Sequence, residues 1–202
     1  QYITWLYSQD ELNQILGVVK ATDTQKMFSF KPRTDSTLNL KKIETSRFVG
    51  YLLEIPNPTR VEVATAEDIN EKGDTTSNIA KKNNAVAAIN GGGFYDPNGT
   101  GTGRLPYGFI LHKGKYLLGQ QVDDSEKVDF VGMTKSGNLI AGNYNKKQLR
   151  DMGAIEGLTF GPPLIINGQK VIKSGDGGWG ISPRSAIGQK KDGTILFLVI
   201  DG

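Results

Sequence analysis

Thr194-Ile195-Leu196-Phe197-Leu198-Val199-Ile200 is the most hydrophobic run in the chain, and Asp201-Gly202 follows it at once. Uninterrupted apolar text rich in β-branched and aromatic residues reads as a strand. A strand with one wet face alternates polar and apolar residues, and this one does not. It is therefore expected to lie centrally in a sheet, with neighbours on both sides. Asp192-Gly193, just before it, is a hairpin signal, and Ser185-Ala186-Ile187-Gly188 reads as the strand on the far side of that turn.

Working outward, Asn167-Gly168 and Lys113-Gly114 mark two more tight turns. Phe48 to Ile55 is a strand run closed by Pro56-Asn57-Pro58. Thr59-Arg60-Val61-Glu62-Val63-Ala64 alternates as a half-buried strand does, and Ala85-Val86-Ala87-Ala88-Ile89 reads as a small, buried strand. Helices are few. One is expected from Thr75 to Asn84, capped by Thr75 or Thr76, and a short one from Asn145 to Met152. A third is expected near residues 9–19, where Ser8-Gln9-Asp10-Glu11 has capping-box form ahead of Leu12, Ile15, Leu16 and Val19. Trp5 and Tyr7 are expected to pack against it. The reading is an α+β fold: a mixed β-sheet core with minority helices and several hairpins. Residues 1–37 read as an N-terminal helix and linker arm, with Pro32 discouraging a helix there, and residues 38–202 as the organised domain.

Composition narrows the chemistry. The 202 residues carry 24 basic and 21 acidic side chains, well mixed, for a net charge of +3. That balance, with no basic stripe, gives no reason to expect nucleic acid as a partner. Mean hydropathy is -0.35, and no apolar run approaches the roughly 18 residues of a transmembrane segment. No secretory leader pattern opens the chain, which is expected of a mature or trimmed form. Cysteine is absent, so disulfides and thiolate metal sites are excluded, and the single histidine, His112, argues against a histidine-rich zinc centre. His112 itself reads as an ordinary strand histidine. Asp123-Asp124-Ser125-Glu126 has calcium-ligand chemistry, although a solvated acidic turn is the favoured reading; a structural calcium stays open, and no cofactor is expected.

Two glycine-rich stretches stand out. In the first, Asn90 leads into Gly91, Gly92 and Gly93, then Phe94-Tyr95-Asp96, and six of the thirteen residues from Gly91 to Gly103 are glycine. A strand that opens into glycines lets backbone N–H groups converge on an anion. Neither a Walker nor a dinucleotide-binding spacing is present. The second runs Gly175-Asp176-Gly177-Gly178-Trp179-Gly180-Ile181-Ser182-Pro183-Arg184, joining a tryptophan suited to a sugar face with an arginine whose planar fork suits a phosphate. Either stretch alone is also the composition of a plain surface loop. Asp201, at the carboxyl end of the apolar strand, sits where a catalytic carboxylate is well held, or where a simple Asp-Gly turn would be.

Together these segments resemble the phosphodiester glycosidase family. The matching text is Ala88-Ile89-Asn90-Gly91-Gly92-Gly93-Phe94, Pro106-Tyr107-Gly108-Phe109-Ile110, Phe160-Gly161-Pro162-Pro163-Leu164-Ile165, Pro183-Arg184-Ser185-Ala186-Ile187-Gly188 and Val199-Ile200-Asp201-Gly202. The Gly-Gly-Trp-Gly loop resembles the Gram-positive, exopolysaccharide-associated branch. The resemblance implies an extracellular or cell-surface hydrolase acting on a phosphorylated glycan or sugar-1-phosphodiester. It implies catalytic roles for Asn90, Arg184 and Asp201. Substrate-binding roles fall to Gly91, Gly92, Gly93, Asp96, Asp176, Trp179 and Ser182. Family members continue past Asp201-Gly202 with a segment that belongs to the site, so the resemblance also implies a C-terminal continuation, or a separate fragment of it, as a partner.

The chemistry follows from the leaving group. A phosphate monoester is a weak base, so its departure from the anomeric carbon needs charge stabilisation and a positioned water more than a proton donor. Two other readings stay open at this point: a metal-dependent phosphodiesterase that breaks P–O, and a glycan-binding module without catalysis.

Overall fold

A computed structural model describes residues 25–96, 98–118, 122–175 and 180–201. The helix expected near residues 9–19, with Trp5 and Tyr7, lies outside the described residues. In chain order the elements are β1 (Asn39–Glu44), β2 (Val49–Ile55), α1 (Thr76–Lys82), β3 (Ile110–His112), β4 (Lys115–Leu118), β5 (Val128–Thr134), β6 (Leu139–Tyr144), α2 (Lys146–Asp151), β7 (Ala154–Thr159), β8 (Ile165–Ile166), β9 (Gln169–Lys170), β10 (Arg184–Gln189) and β11 (Ile195–Ile200). This is the sheet-dominated α+β fold with minority helices that the sequence pattern predicts.

Two sheets carry the fold. One has the order β1-β2-β11-β10, the other β4-β3-β7-β5-β6, and β8-β9 is a separate hairpin. The apolar strand β11 is central, antiparallel to β2 and to β10. Its continuous hydrophobicity has that physical cause: both edges are hydrogen-bonded, and one face reaches the second sheet. Ile55 and Ile195 from the first sheet meet Met133 and Leu139 from the second in one core cluster, with Leu53, Phe197, Ile187 and Val131 at its margin. The far face of the five-stranded sheet forms the other cluster, in which Phe109, Leu111, Phe130, Ile140 and Tyr144 pack with Leu149 of α2.

Local signals explain most boundaries. Thr75 caps α1 by accepting from Asn78 N at 3.2 Å. Asn145 and Gln148 form a reciprocal capping box on α2, at 2.9 and 3.1 Å. The turns at Lys113-Gly114, Asn167-Gly168 and Asp192-Gly193 close the β3–β4, β8–β9 and β10–β11 hairpins. Gly193 has φ +90°, and a side chain there would collide with the Phe30 ring. The arm before β1 therefore packs across this hairpin. Farther up the arm, Gln25 Nε2 donates to Leu139 O at 2.6 Å and Gln25 Oε1 accepts from Ala141 N at 2.7 Å, along the outer edge of β6. Gln189 Oε1 accepts from Leu139 N at 2.9 Å, and its Nε2 donates to Gly137 O and Gly193 O.

Two expected strands do not form. Residues 59–64 begin in a single 3-10 turn, Pro58–Arg60, because Asn57 accepts from Thr59 N and Pro58 occupies the first position. The chain then runs irregularly, and Val63 N donates to the Glu156 carboxylate instead of a neighbouring strand. Residues 85–89 are also outside any ladder and largely exposed, with Val86 at 75%. Small side chains offer little apolar area to hold such a run down. Its one anchor onto β10 is Ser185 Oγ, which donates to Asn90 O at 3.2 Å. Among the described residues no helix is long and apolar enough to cross a membrane.

Candidate active site

The hairpin register sets the first geometry. Arg184 opens β10 directly opposite Ile200, the last residue of β11, so Arg184 and Asp201 both stand at one end of the four-stranded sheet. Asp201 is held there twice: its N–H donates to Val49 O at 2.9 Å, and its Oδ1 accepts from Val49 N at 2.6 Å. The clamp fixes the carboxylate on β2. Among the described residues its Oδ2 accepts no hydrogen bond.

Arg184 is exposed, and its guanidinium curls back over its own loop. It donates from Nη1 to Pro183 O at 3.0 Å and from Nη2 to Gly180 O at 3.2 Å. Ser182 is half-buried in the same turn. Asp176 and Trp179 lie outside the described residues.

Asn90 reaches this end through its main chain: its carbonyl accepts from Ser185, next to Arg184. The glycines after it lie over the end of β7, the middle strand of the five-stranded sheet. Side chains at Gly91 or Gly92 would touch Leu158 at 3.5 and 3.9 Å, and Gly92 has φ +79°. Among the described residues none of the three glycine amides donates a hydrogen bond, whereas Gly93 O accepts from Tyr107 N at 2.9 Å.

Asp96 is turned to another use. Its carboxylate accepts from Gly101 N at 2.7 Å, Thr100 N at 3.0 Å and Thr100 Oγ1 at 3.2 Å. The Gly101 amide, then the Thr100 groups, hold its carboxyl below the usual aspartate range. It closes its own loop. The acidic turn behaves alike: Asp123 accepts from Ser125 N, while Asp124 faces Lys146 Nζ at 3.5 Å and Arg150 at 3.3 Å.

Glu156 escaped the reading of the sequence. It is buried, and accepts from Val63 N and Lys113 N at 2.9 Å each, with His112 Nδ1 also 2.9 Å away. His112 is thus a hydrogen-bonded strand histidine, as expected, and its partner is a buried carboxylate. The available signal was a single acidic residue inside the otherwise apolar Ala154-Ile155-Glu156-Gly157-Leu158. Tyr95 and Tyr107, both about half exposed beside the glycines, were also passed over.

A hydrolase-like layout emerges: a clamped carboxylate and an arginine at one sheet end, with amides that donate to no described acceptor on the segment anchored to β10. The phosphodiester glycosidase family matches residues 83–202, well over half of the chain. The chain belongs to that family. Among solved structures, the zebrafish N-acetylglucosamine-1-phosphodiester alpha-N-acetylglucosaminidase catalytic domain, auto-inhibited by its pro-peptide, is similar, with a TM-score of 0.64 and 21% identity over 90% of this chain and 67% of that one. That likeness is one of fold. No curated protein matches the chain.

Proposed function

We propose that this chain hydrolyses the glycosidic C–O bond of a sugar-1-phosphate diester, of the N-acetylglucosamine-1-phosphodiester type, on extracellular or cell-surface glycan such as exopolysaccharide. The observation that carries the reading is that Arg184 and the clamped Asp201 stand at the same end of the four-stranded sheet. Family membership and the zebrafish fold likeness support the reaction type.

In the proposed reaction Arg184 binds the phosphate bidentately. The amides of Gly91, Gly92 and Gly93 add preorganised donors to the charge that grows on the leaving group. Asp201 Oδ2 takes a proton from the attacking water, which adds to the anomeric carbon as the C–O bond to phosphate breaks. The electron pair of that bond leaves on the phosphate monoester, which needs no acid at neutral pH. The Asn90 side chain orients the water. The half-exposed outer face of the four-stranded sheet and the exposed run 85–89 support coverage by a further C-terminal segment of the same protein that completes the site.

Hydrolysis of a sugar-1-phosphodiester in 18O-water tests the reading. Label on the sugar is the expected result. Label on phosphate would reassign the enzyme as a phosphodiesterase, and binding without turnover would make it a glycan-binding module.

A further inference from the structure

Beyond the glycine amides the same segment continues into a short two-stranded ladder that nothing above uses. Phe94 pairs with Pro106 in an antiparallel bridge, flanked by hydrogen bonds from Tyr107 N to Gly93 O and from Tyr95 N to Leu105 O, each 2.9 Å. Residues opposite one another in an antiparallel pair share a face, and successive residues alternate. One face therefore carries Phe94 and Pro106, both half-buried. The other carries Gly93, Tyr95, Leu105 and Tyr107.

That second face is turned to solvent. Tyr95 is 55% exposed, Tyr107 49% and Leu105 40%. Leu105 holds φ +54°, a conformation costly for a bulky residue, and still leaves part of its side chain in solvent. Gly93 supplies the opening: a Cβ there would come within 3.0 Å of Tyr107 Cδ2, so the ring lies across the bare glycine backbone. Strain and a glycine together keep an aromatic, apolar shelf in place.

We infer that Tyr107, with Tyr95 and Leu105, forms a stacking platform for a pyranose ring of the substrate. Flat aromatic faces suit the C–H face of a pyranose, and phenol hydroxyls reach its rim hydroxyls. Position favours the same ligand. Gly93 is both the floor of this shelf and the last of the three amides assigned to phosphate, and two residues span at most about 7 Å. A sugar joined directly to phosphate would cover both. The assignment rests on the phosphodiester glycosidase reading of those amides.

The test titrates the whole chain with methyl α-N-acetylglucosaminide, a neutral pyranoside with no phosphate, observed by ligand-detected NMR. Measurable binding by the unaltered protein is expected. Tyr107→Ala should weaken it at least tenfold and Tyr107→Phe less than threefold. Gly93→Ala, which displaces the ring without removing it, should resemble Tyr107→Ala. With a sugar-1-phosphodiester, Tyr107→Ala should raise KM at least fivefold and hold kcat within about twofold, at an unchanged Tm. No pyranoside binding by the parent protein, or an affinity equal to the parent's in both Tyr107→Ala and Gly93→Ala, would overturn the platform. Hydrolysis with an unaltered KM in Tyr107→Ala would overturn it while leaving the glycosidase intact. Tyr107-dependent pyranoside binding without any hydrolysis would keep the platform and remove the glycosidase.

Discussion

The five-stranded sheet is covered on both faces, by α2 on one side and by the four-stranded sheet on the other. Its rings and branched chains are shut away: Phe109 and Ile140 are fully buried and Phe130 is 1% exposed. The four-stranded sheet is covered on one face. Ile195 is fully buried, but Leu196 and Leu198 on the same strand are half-exposed, and Leu40 and Tyr51 stand open. The proposed chemistry follows this division. The open sheet supplies Arg184 and Asp201 at its end, whereas the closed one supplies the Leu158 floor beneath the glycines. A packed layer fixes positions, and an uncovered layer leaves polar ends where a substrate can reach them.

Glycine-to-alanine exchanges should separate the two sheets most sharply. In the closed sheet, a Cβ at Gly157 would collide with the Phe130 ring, so Gly157→Ala is expected to lose about 3 kcal/mol, the upper end for overpacking a core. In the open sheet, a Cβ at Gly188 would meet only Leu196, at 4.0 Å. Gly188→Ala should be neutral or gain a few tenths of a kcal/mol, because alanine loses less backbone freedom than glycine. Urea unfolding of both variants measures the contrast, and equal losses would erase it.

Arg184→Lys probes the exposed end without touching the core. Charge survives but the bidentate fork does not, so kcat/KM should fall at least tenfold, about 1.4 kcal/mol. The Tm should stay put. Activity near the parent level in both Arg184→Lys and Arg184→Ala would take the residue out of the site.

The smallest effect belongs to the rim of the open sheet. Glu54 contacts Lys190 and Lys41 at 3.0 Å each, and these bonds, Lys190 foremost, pull its carboxyl down to about 2. A carboxyl depressed in the folded state stabilises above its ordinary value near 4.5 and loses that contribution as pH falls towards 2. Being exposed, the cluster is weak at any pH. Thermal unfolding of Glu54→Gln should trail the parent slightly above pH 5 and converge with it between 4.5 and 2. A gap that widens on acidification would contradict the assignment.

Legibility in the sequence tracked the same division. β11 could be read because nothing polar interrupts it, and the β3–β4, β8–β9 and β10–β11 hairpins because each turn carries a glycine in the right place. β5 and β7 were obscured by Gly132 and Gly157 inside their apolar runs. Those glycines exist because the Phe130 ring occupies the space above them, a fact that only tertiary packing reveals. Arg184 and Asp201 come to the same sheet end only once the β10–β11 register is known. Glu156 was hidden for a different reason: Val63 and His112 lie 93 and 44 positions away in sequence. Residues 85–89 misled because an unbroken small apolar run looks buried, whatever lies beside it.

The glutamines along β6 have a consequence for behaviour in concentrated solution. β6 closes the five-stranded sheet, and a bare strand edge is a template on which a second molecule can add. At Leu139 and Ala141 the outward main-chain groups are already occupied, by the amides of Gln25 and Gln189. Two side chains thus impersonate the next strand without extending the ladder. That part of the edge is closed to a second molecule, and its protection depends on an arm residue 114 positions from the strand it shields.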